Sequence, residues 1–268
     1  MALSIGVAGE GAASGTTTVS TNNISPTTGS TFIIICIFDA GQTFSTVTDN
    51  GGNSYTIVGS ETSSGNGTSK VRAYRKINGT GWTTNSASFS CTGSGTMVIL
   101  FIEIKGASTS DPGALDTNTA TLDNSSPFSS GRITTTNAND ALIGYTGGSD
   151  SVSATASHAT NSVGTSPNET NPTTGWTLQT GAEITAANSF WDGAIATQIV
   201  AATSSVYQSA WTTSGGSAAM AGIIAIKEAA AGGGGVSEAA RSPGTVAPGK
   251  YVDWNAKDGP WPSYDQAA

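Results

Sequence analysis

The chain has 268 residues, of which 37% are hydrophobic and only 10% are charged, and its formal net charge is -8. This length suits one large β domain, because all-β sandwiches often exceed about 200 residues. Ten basic residues against eighteen acidic ones build no basic face, which argues against nucleic-acid binding through phosphate contacts. The N-terminus lacks the pattern of a signal peptide, and no apolar run approaches the roughly 20 residues of a membrane span. We expect a protein that folds in a cytosol without a membrane anchor.

The first elements are a leader, a buried strand and a hairpin. Residues 1–29 are rich in Gly, Ser and Thr, and we expect a flexible N-terminal leader there. Residues 31–38 are apolar on both faces and bounded by turn residues, which is typical of a central sandwich strand. Residues 44–48 alternate, residues 49–53 (DNGGN) supply the positive-φ positions of a tight turn, and residues 55–58 follow. This pattern predicts a β-hairpin.

The next segments predict three more strands. Residues 71–77 have no cleanly apolar face, which suits a strand near a sheet edge. The basic residues of this region fit the solvated side of that half-buried strand: Lys70, Arg72, Arg75 and Lys76. Residues 86–91 and 97–104 read as two strands separated by a turn at residues 92–95 (TGSG). The second of them is the most hydrophobic stretch of the chain and should lie in the core.

The second half of the chain continues the pattern of short strands. Residues 106–130 read as a loop, and the long polar stretch 147–174 reads as an exposed, variable surface. Strands are predicted at residues 132–136, 140–145, 176–184, 194–200, 206–211 and 218–226. No stretch before Ala229 has helical periodicity. The sequence therefore predicts an all-β, jelly-roll-like antiparallel β-sandwich over residues 30–228 with an extended C-terminal tail.

The chain changes character after that sandwich. Residues 229–235 (AAAGGGG) are typical of a flexible linker. Residues 236–268 carry aromatic residues and prolines in a segment too short to bury its own aromatic side chains. We expect an extended docking tail whose aromatic residues contact a partner: Tyr251, Trp254, Trp261 and Tyr264. An extended segment of this kind can also add main-chain hydrogen bonds to a partner's sheet edge.

Candidates for chemistry are few, and each has a simpler structural interpretation. His158 is the sole histidine and stands in the long polar loop without the carboxylate-oriented setting of a catalytic triad. Glu103 and Glu183 could form the carboxylate pair of a glycosidase, but Glu103 beside Lys105 reads more simply as an ion-paired edge residue. The oxygen-bearing residues 49–53 could ligate calcium, but a hairpin turn uses the same residues for backbone reasons. We expect no catalytic residue, metal or cofactor.

Cys36 and Cys91 are the two cysteines, and both stand in strand-like runs. Buried free thiols are the simpler interpretation, and a disulfide across the sandwich is the alternative that sequence leaves open. With two thiols and one histidine, a zinc or redox site has little support.

The order of these segments resembles a jelly-roll domain family that recurs in bacteriophage virion accessory proteins and in some bacterial surface proteins. The resemblance spans about residues 30–227 and is carried by turn and core motifs rather than by a site. Its segments are residues 32–38, residues 47–56, the strand with Tyr74, residues 98–104 followed by Lys105-Gly106, and residues 130–143. In phages such domains are capsid decoration (cement) proteins or fibre and tip modules, usually as trimers.

The resemblance implies a structural virion protein, assembled in the host cytoplasm, that binds the major capsid protein or other virion subunits through its terminal segments. An alternative is a phage fibre-tip or carbohydrate-binding adhesin module that recognises a surface glycan. That alternative uses the polar stretch 147–174 and four tryptophans that could stack on sugar rings, although core packing is the simpler interpretation for them: Trp82, Trp176, Trp191 and Trp211. A jelly-roll glycoside hydrolase is a distant third.

Overall fold

A computed structural model describes residues 2–63, 67–110, 115–123, 128–149, 176–184, 191–201, 206–211 and 219–230. These residues form fifteen β-strands and no helix, so nothing in these ranges is a helix that could span a membrane. Every strand pairing is antiparallel. The all-β antiparallel sandwich predicted from the sequence is confirmed.

The first sheet comes from the N-terminal half of the chain. Its strands are β1 (Ser4–Ser20), β2 (Thr31–Asp39), β3 (Thr43–Asp49), β4 (Thr56–Ser63), β5 (Ser69–Lys76) and β6 (Ala87–Lys105). They follow the order β1-β6-β2-β5-β4, and β3 pairs with the first part of β6. The long strand β6 therefore lies at the centre of the sheet's hydrogen bonding.

The second sheet follows in the chain. Its strands are β7 (Leu115–Asp123), β10 (Asp140–Ser149), β11 (Thr177–Ile184), β12 (Trp191–Val200) and β15 (Ala219–Lys227), in the order β11-β12-β10-β15-β7. Two short pairs complete the described strands: β8 (Phe128–Ser129) with β14 (Ala210–Trp211), and β9 (Ile133–Thr134) with β13 (Val206–Tyr207).

The main core lies between the two sheets. Alternate residues of β2, namely Ile33, Ile35 and Ile37, are fully buried there and pack with residues of the second sheet such as Ile143 and Ile195. The period-2 geometry of a strand sends the intervening residues to the opposite face. A second apolar cluster therefore forms on the outer face of the first sheet.

That outer cluster is rich in aromatic residues. Phe32 and Phe38 of β2 pack there with Phe89 and Phe101 of β6 and with Trp82 from the connection between β5 and β6. The ring centroid of Phe32 lies 5.5 Å from those of both Trp82 and Phe101, which are themselves 5.7 Å apart. The sequence of β2 is apolar without interruption because both faces of the strand are buried. The prediction of a central strand at residues 31–38 is confirmed.

The expectation of a flexible leader over residues 1–29 is wrong for most of that segment. Residues 4–20 form β1, which pairs with β6 from Ser4 opposite Lys105 to Ser20 opposite Ser88. The small residues of this strand bury little surface by themselves. β1 is held in place by main-chain hydrogen bonds to the buried strand β6. Because main-chain hydrogen bonds do not require apolar side chains, the sequence of β1 shows no apolar pattern.

The predicted hairpin over residues 44–58 is also wrong in its pairing. The turn at residues 49–53 forms, but β3 pairs with β6 while β4 pairs with β5. Turn residues specify a reversal of the chain and not the identity of the neighbouring strand. The two strands that flank this turn therefore pair at different places in the same sheet.

Two further predictions need correction. Residues 92–95 do not end a strand: β6 continues through them, with Gly93 at a φ of 82° and its carbonyl accepting a hydrogen bond from Gln42 Nε2 at 2.8 Å. The predicted loop 106–130 contains β7. The prediction of a strand near a sheet edge at residues 71–77 is confirmed, because β5 lies next to the edge strand β4.

The finer jelly-roll connectivity is not confirmed. A jelly roll interleaves two Greek keys over its sheets, whereas here residues 4–105 build one sheet and residues 115–227 the other. The described residues, which end at residue 230, belong to one compact unit. Of the predicted linker 229–235, residues 229–230 are described, and the Ala229 N–H donates to the Gly106 carbonyl at 2.8 Å. Residues 231–235 and the predicted docking tail 236–268 lie outside the described part of the chain.

Candidate functional site

A groove of about 320 Å³ opens on the outer side of the first sheet. Three aromatic residues line it, Phe44 of β3, Tyr55 just before β4, and Tyr74 of β5. The remaining lining residues are neutral and mostly small: Ser45, Thr46, Val47, Asn53 and Ser54. Because β3 and β4 pair with different strands, the turn between them leaves a recess with aromatic walls.

Phe44 is held in place by its neighbours. Its ring stacks on Tyr74 with centroids 4.9 Å apart, and the guanidinium carbon of Arg72 lies 4.9 Å from its centroid. Arg72 also donates from Nε to Glu61 Oε2 at 2.6 Å and from Nη1 to the Tyr74 hydroxyl at 3.3 Å. The cation therefore joins an ion pair, a hydroxyl and an aromatic face, which fixes this wall of the groove.

Asp49 holds a second part of the lining, Tyr55 and Asn53, in place. Its Oδ2 accepts hydrogen bonds from the Tyr55 hydroxyl at 2.6 Å and from Asn53 Nδ2 at 2.8 Å. Its Oδ1 accepts the main-chain N–H of Asn53 at 3.0 Å. Burial, together with the hydrogen bond to Asp49, raises the pKa of Tyr55 above its ordinary value. The hydroxyl of Tyr55 thus stays protonated and remains a donor to the carboxylate across the neutral pH range.

Asn53 connects this turn to the neighbouring segment. Its amide donates to the Thr80 carbonyl at 2.8 Å, and its Oδ1 accepts the Thr80 main-chain N–H at 2.8 Å. Gly52 supplies a positive φ of 68° in the turn. Since the side chains of Asp49 and Asn53 bond to protein donors and acceptors, residues 49–53 act here as a structured turn rather than as an arranged set of calcium ligands.

Glu103 has a structural position. It lies on β6, between β1 and β2, and is completely buried. Its Oε1 accepts from the Thr27 main-chain N–H at 2.8 Å and from Ser30 Oγ at 2.7 Å, and its Oε2 accepts from the Val7 main-chain N–H at 3.0 Å. Lys105 Nζ is 3.8 Å from Oε2. The ion pair expected from the sequence is present, but the expected edge position is wrong because β6 is a central strand.

The other candidate residues for chemistry lie beyond what the structure describes. Glu183 is on β11, but its side chain is not among those described, so the predicted pairing with Glu103 stays a prediction. His158 and most of the stretch 147–174 also lie outside the described residues, although residues 147–149 belong to β10. The four tail aromatics, Tyr251, Trp254, Trp261 and Tyr264, are outside them as well.

Two of the four tryptophans proposed for sugar stacking, Trp82 and Trp211, are core residues. Trp82 is buried and donates from Nε1 to the Asn85 carbonyl at 3.1 Å, and Trp211 is completely buried with its Nε1 3.3 Å from Ser209 Oγ. Trp176 is half-buried and packs against two apolar clusters of the second sheet. The side chain of Trp191 lies outside the described part. For Trp82 and Trp211 the core interpretation is confirmed.

The cysteines and the basic segment also have structural roles. Cys36 and Cys91 are both buried and free, as the simpler interpretation predicted. Burial raises the pKa of both thiols, that of Cys91 to about 11. Among the basic residues, Lys70 and Arg72 are half-buried and paired with Glu61, whereas Arg75 is buried on the other face. The expectation of a solvated position is wrong for Arg75, since odd-numbered residues of β5 face the core.

No group of three or more His, Cys, Asp or Glu side chains that could hold a metal ion occurs among the described residues. Comparison of the chain with protein-family models, with curated proteins and with solved structures gave no match. The sequence predicted strands for the groove residues but not the groove itself. The aromatic residues on either side of the turn 49–53, Phe44 and Tyr55, were the available signal. The meaning of that signal depends on strand partners that the turn does not specify.

Proposed function

We propose that this chain is a structural virion protein, a capsid decoration protein that attaches to the shell through its terminal segments. The sequence resemblance to phage accessory domains motivates the proposal, and the antiparallel sandwich is compatible with it. The observation that supports the proposal most is a contrast between the acidic residues of the sandwich and the aromatic residues of the tail. Glu103 and Asp49 serve the fold through buried or turn hydrogen bonds, whereas the aromatic residues after the Gly-rich linker are concentrated in a short segment at the C-terminus.

The proposal assigns attachment to the tail and exposure to the sandwich. Tyr251, Trp254, Trp261 and Tyr264 would contact the major capsid protein or another virion subunit, since buried aromatic residues dominate interface energetics. A homotrimer is part of the proposal, and a solution mass of three times 26.6 kDa by light scattering would support it. A monomer at micromolar concentration would count against the trimer but not against tail attachment.

Immunogold electron microscopy tests the location. Antibodies against the sandwich are applied to particles produced from the genome that encodes this chain. We expect gold over the capsid surface in a regular distribution. Gold confined to one end of the particle would favour the fibre-tip alternative, and particles without label would contradict a virion location altogether.

The second candidate function is a fibre-tip or adhesin module that binds a surface glycan. The groove lined by Phe44, Tyr55 and Tyr74 favours it, because ligand sites combine aromatic walls with a few well-placed polar groups. The tryptophans first considered for this role contribute less support, since Trp82 and Trp211 are in the core.

A further inference from the structure

The groove presents uncharged chemistry to solvent. The carboxylate of Asp49 receives three hydrogen bonds from Tyr55 and Asn53, and Arg72 is paired with Glu61. The lining residues exposed at its mouth are Ser45, Thr46 and Ser54. Their hydroxyls both donate and accept hydrogen bonds. A ligand that matches this lining is neutral, carries hydroxyl groups and has an apolar face.

The groove is also rigid before any ligand arrives. Phe44 is stacked on Tyr74 and under Arg72, and Tyr55 is fixed through its hydroxyl. The turn that carries Asn53 and Ser54 is tied to Thr80 by two hydrogen bonds of 2.8 Å. A preformed wall of aromatic rings lowers the entropy that binding would otherwise lose in ordering the site.

The volume limits the ligand to about one ring. At about 320 Å³ the groove lies near the lower end of the range of roughly 300–1,000 Å³ that ligand pockets occupy. A pyranose ring has one face of C–H groups, which packs against the electron-rich face of an aromatic ring, and a rim of hydroxyls. Both features have a counterpart in this lining.

We propose that the groove between β3 and the start of β4 binds a single neutral pyranose ring, as the terminal unit of a glycan would present it. The half-buried rings of Phe44 and Tyr55 supply the aromatic surface, the buried ring of Tyr74 supports Phe44 by stacking, and the exposed hydroxyls of Ser45 and Ser54 contact the ring's hydroxyls. This inference rests on the second candidate function, glycan binding, and specifies its ligand class and site, whereas attachment through the C-terminal tail is independent of it.

Saturation-transfer NMR on the full chain tests the proposal. The probes are the methyl pyranosides of glucose, galactose, mannose, N-acetylglucosamine, fucose and rhamnose, at about 1–20 mM because single-ring ligands of proteins are often millimolar binders. We expect transfer to at least one of them, strongest at the C–H protons of one face. Absence of transfer to all six would overturn the proposal.

Two matched substitutions place the binding in the groove. Ser54→Tyr adds a ring at the lining, whereas Ser60→Tyr adds the same ring on β4 at an exposed position that does not line the groove. We expect the first to reduce affinity at least 10-fold and the second to leave it unchanged, with equal melting temperatures. Equal affinity of the Ser54→Tyr variant and the unaltered chain would overturn the proposal, as would stronger binding of methyl glucuronide than of every neutral ring. Particle labelling measures virion location separately.

Discussion

Ile37 of β2 reaches across the sandwich to a point where Gly193 of β12 has no side chain. A Cβ placed on Gly193 would stand 2.6 Å from Ile37 Cδ1, and Gly147, which is paired with Gly193, meets the same methyl group. Ile37 is completely buried. The two sheets therefore approach closely here because two neighbouring strands both carry glycine.

Gly193→Ala should destabilise the protein by about 1–3 kcal/mol, since an extra methyl group in a filled core forces its neighbours to move. Urea unfolding measures the change. In an Ile37→Val background, which lacks the obstructing Cδ1, the cost of Gly193→Ala should be clearly smaller, and this difference is the coupling between the two residues.

The matched control for that substitution is Gly41→Ala. Gly41 is exposed, and a Cβ there would meet no atom within 4 Å. We expect no loss of stability, or a small gain, because alanine restricts the unfolded chain. Equal costs at positions 41 and 193, or no coupling to Ile37, would contradict this account of the sheet packing.

Replacement of Glu103 should loosen the N-terminal strand. Glu103→Gln places an amide N–H₂ against one of the donors from Val7, Thr27 or Ser30, and we expect a loss of about 2–3 kcal/mol. Hydrogen exchange should show the largest loss of protection in β1. The control, Glu61→Gln, removes the charge from two partly exposed ion pairs, with Lys70 and Arg72, and should cost less than about 1 kcal/mol. Similar costs for the two variants would argue against a structural role for Glu103.

Asp49→Ala should destabilise the turn that forms one wall of the groove. The substitution leaves the Tyr55 hydroxyl and two donors of Asn53 without their acceptor, and we expect a loss of about 2–3 kcal/mol in the free energy of unfolding. Asn50→Ala, at an exposed position of the same turn, should change it by less than about 0.5 kcal/mol.

Calcium gives an independent test of the same turn. Because the Asp49 oxygens accept hydrogen bonds from the protein, millimolar calcium should leave the melting temperature of the unaltered chain unchanged. A rise with calcium that the Asp49→Ala variant lacks would show that residues 49–53 are a cation site instead.

Stability should fall at alkaline pH. Burial raises the pKa of Cys91 from 9.0 to about 11 and also raises the pKa values of Cys36 and Tyr145. A raised pKa means that the folded state holds its proton more tightly than the unfolded state. The contribution of Cys91 is therefore complete below about pH 9 and is lost as the pH rises toward 11, and that of Tyr145 begins to fall only above about pH 10.

Urea unfolding at pH 8, 9.5 and 10.5 measures this effect. Each such group contributes a slope of up to about 1.4 kcal/mol per pH unit in the affected range. Cys91→Ala removes one of the groups and should reduce the slope, whatever its effect on stability at pH 8. A stability that stays constant from pH 8 to 10.5 would contradict the burial of these groups.

The sequence predicted those elements whose own side chains are buried. β2 and the second part of β6 are apolar on both faces because each face of the first sheet is covered, and their runs were recognised as core strands. β1 and β7 have few large apolar residues and gain their order from neighbouring strands. The pairing of such strands cannot be inferred from their own residues, because it depends on the neighbouring strand.

The groove was out of reach of sequence reasoning for a related reason. Phe44, Tyr55 and Tyr74 come from three separate segments, and they converge because β3 pairs with β6 while β4 pairs with β5. The sequence of the turn 49–53 predicted its reversal correctly. The turn sequence does not specify which strands β3 and β4 pair with.

Attachment through the tail is the central proposal, and one binding measurement tests it directly. Particles that lack this chain are mixed with the purified full-length protein and sedimented, and bound protein is quantified for the unaltered chain and two tail variants. The first variant combines Trp254→Ala with Trp261→Ala, and the matched control combines Asn255→Ala with Ser263→Ala in the same segment. We predict saturable binding of the unaltered chain and the control and a loss of at least 10-fold in affinity for the tryptophan variant. Unchanged affinity of the tryptophan variant would contradict attachment through the tail.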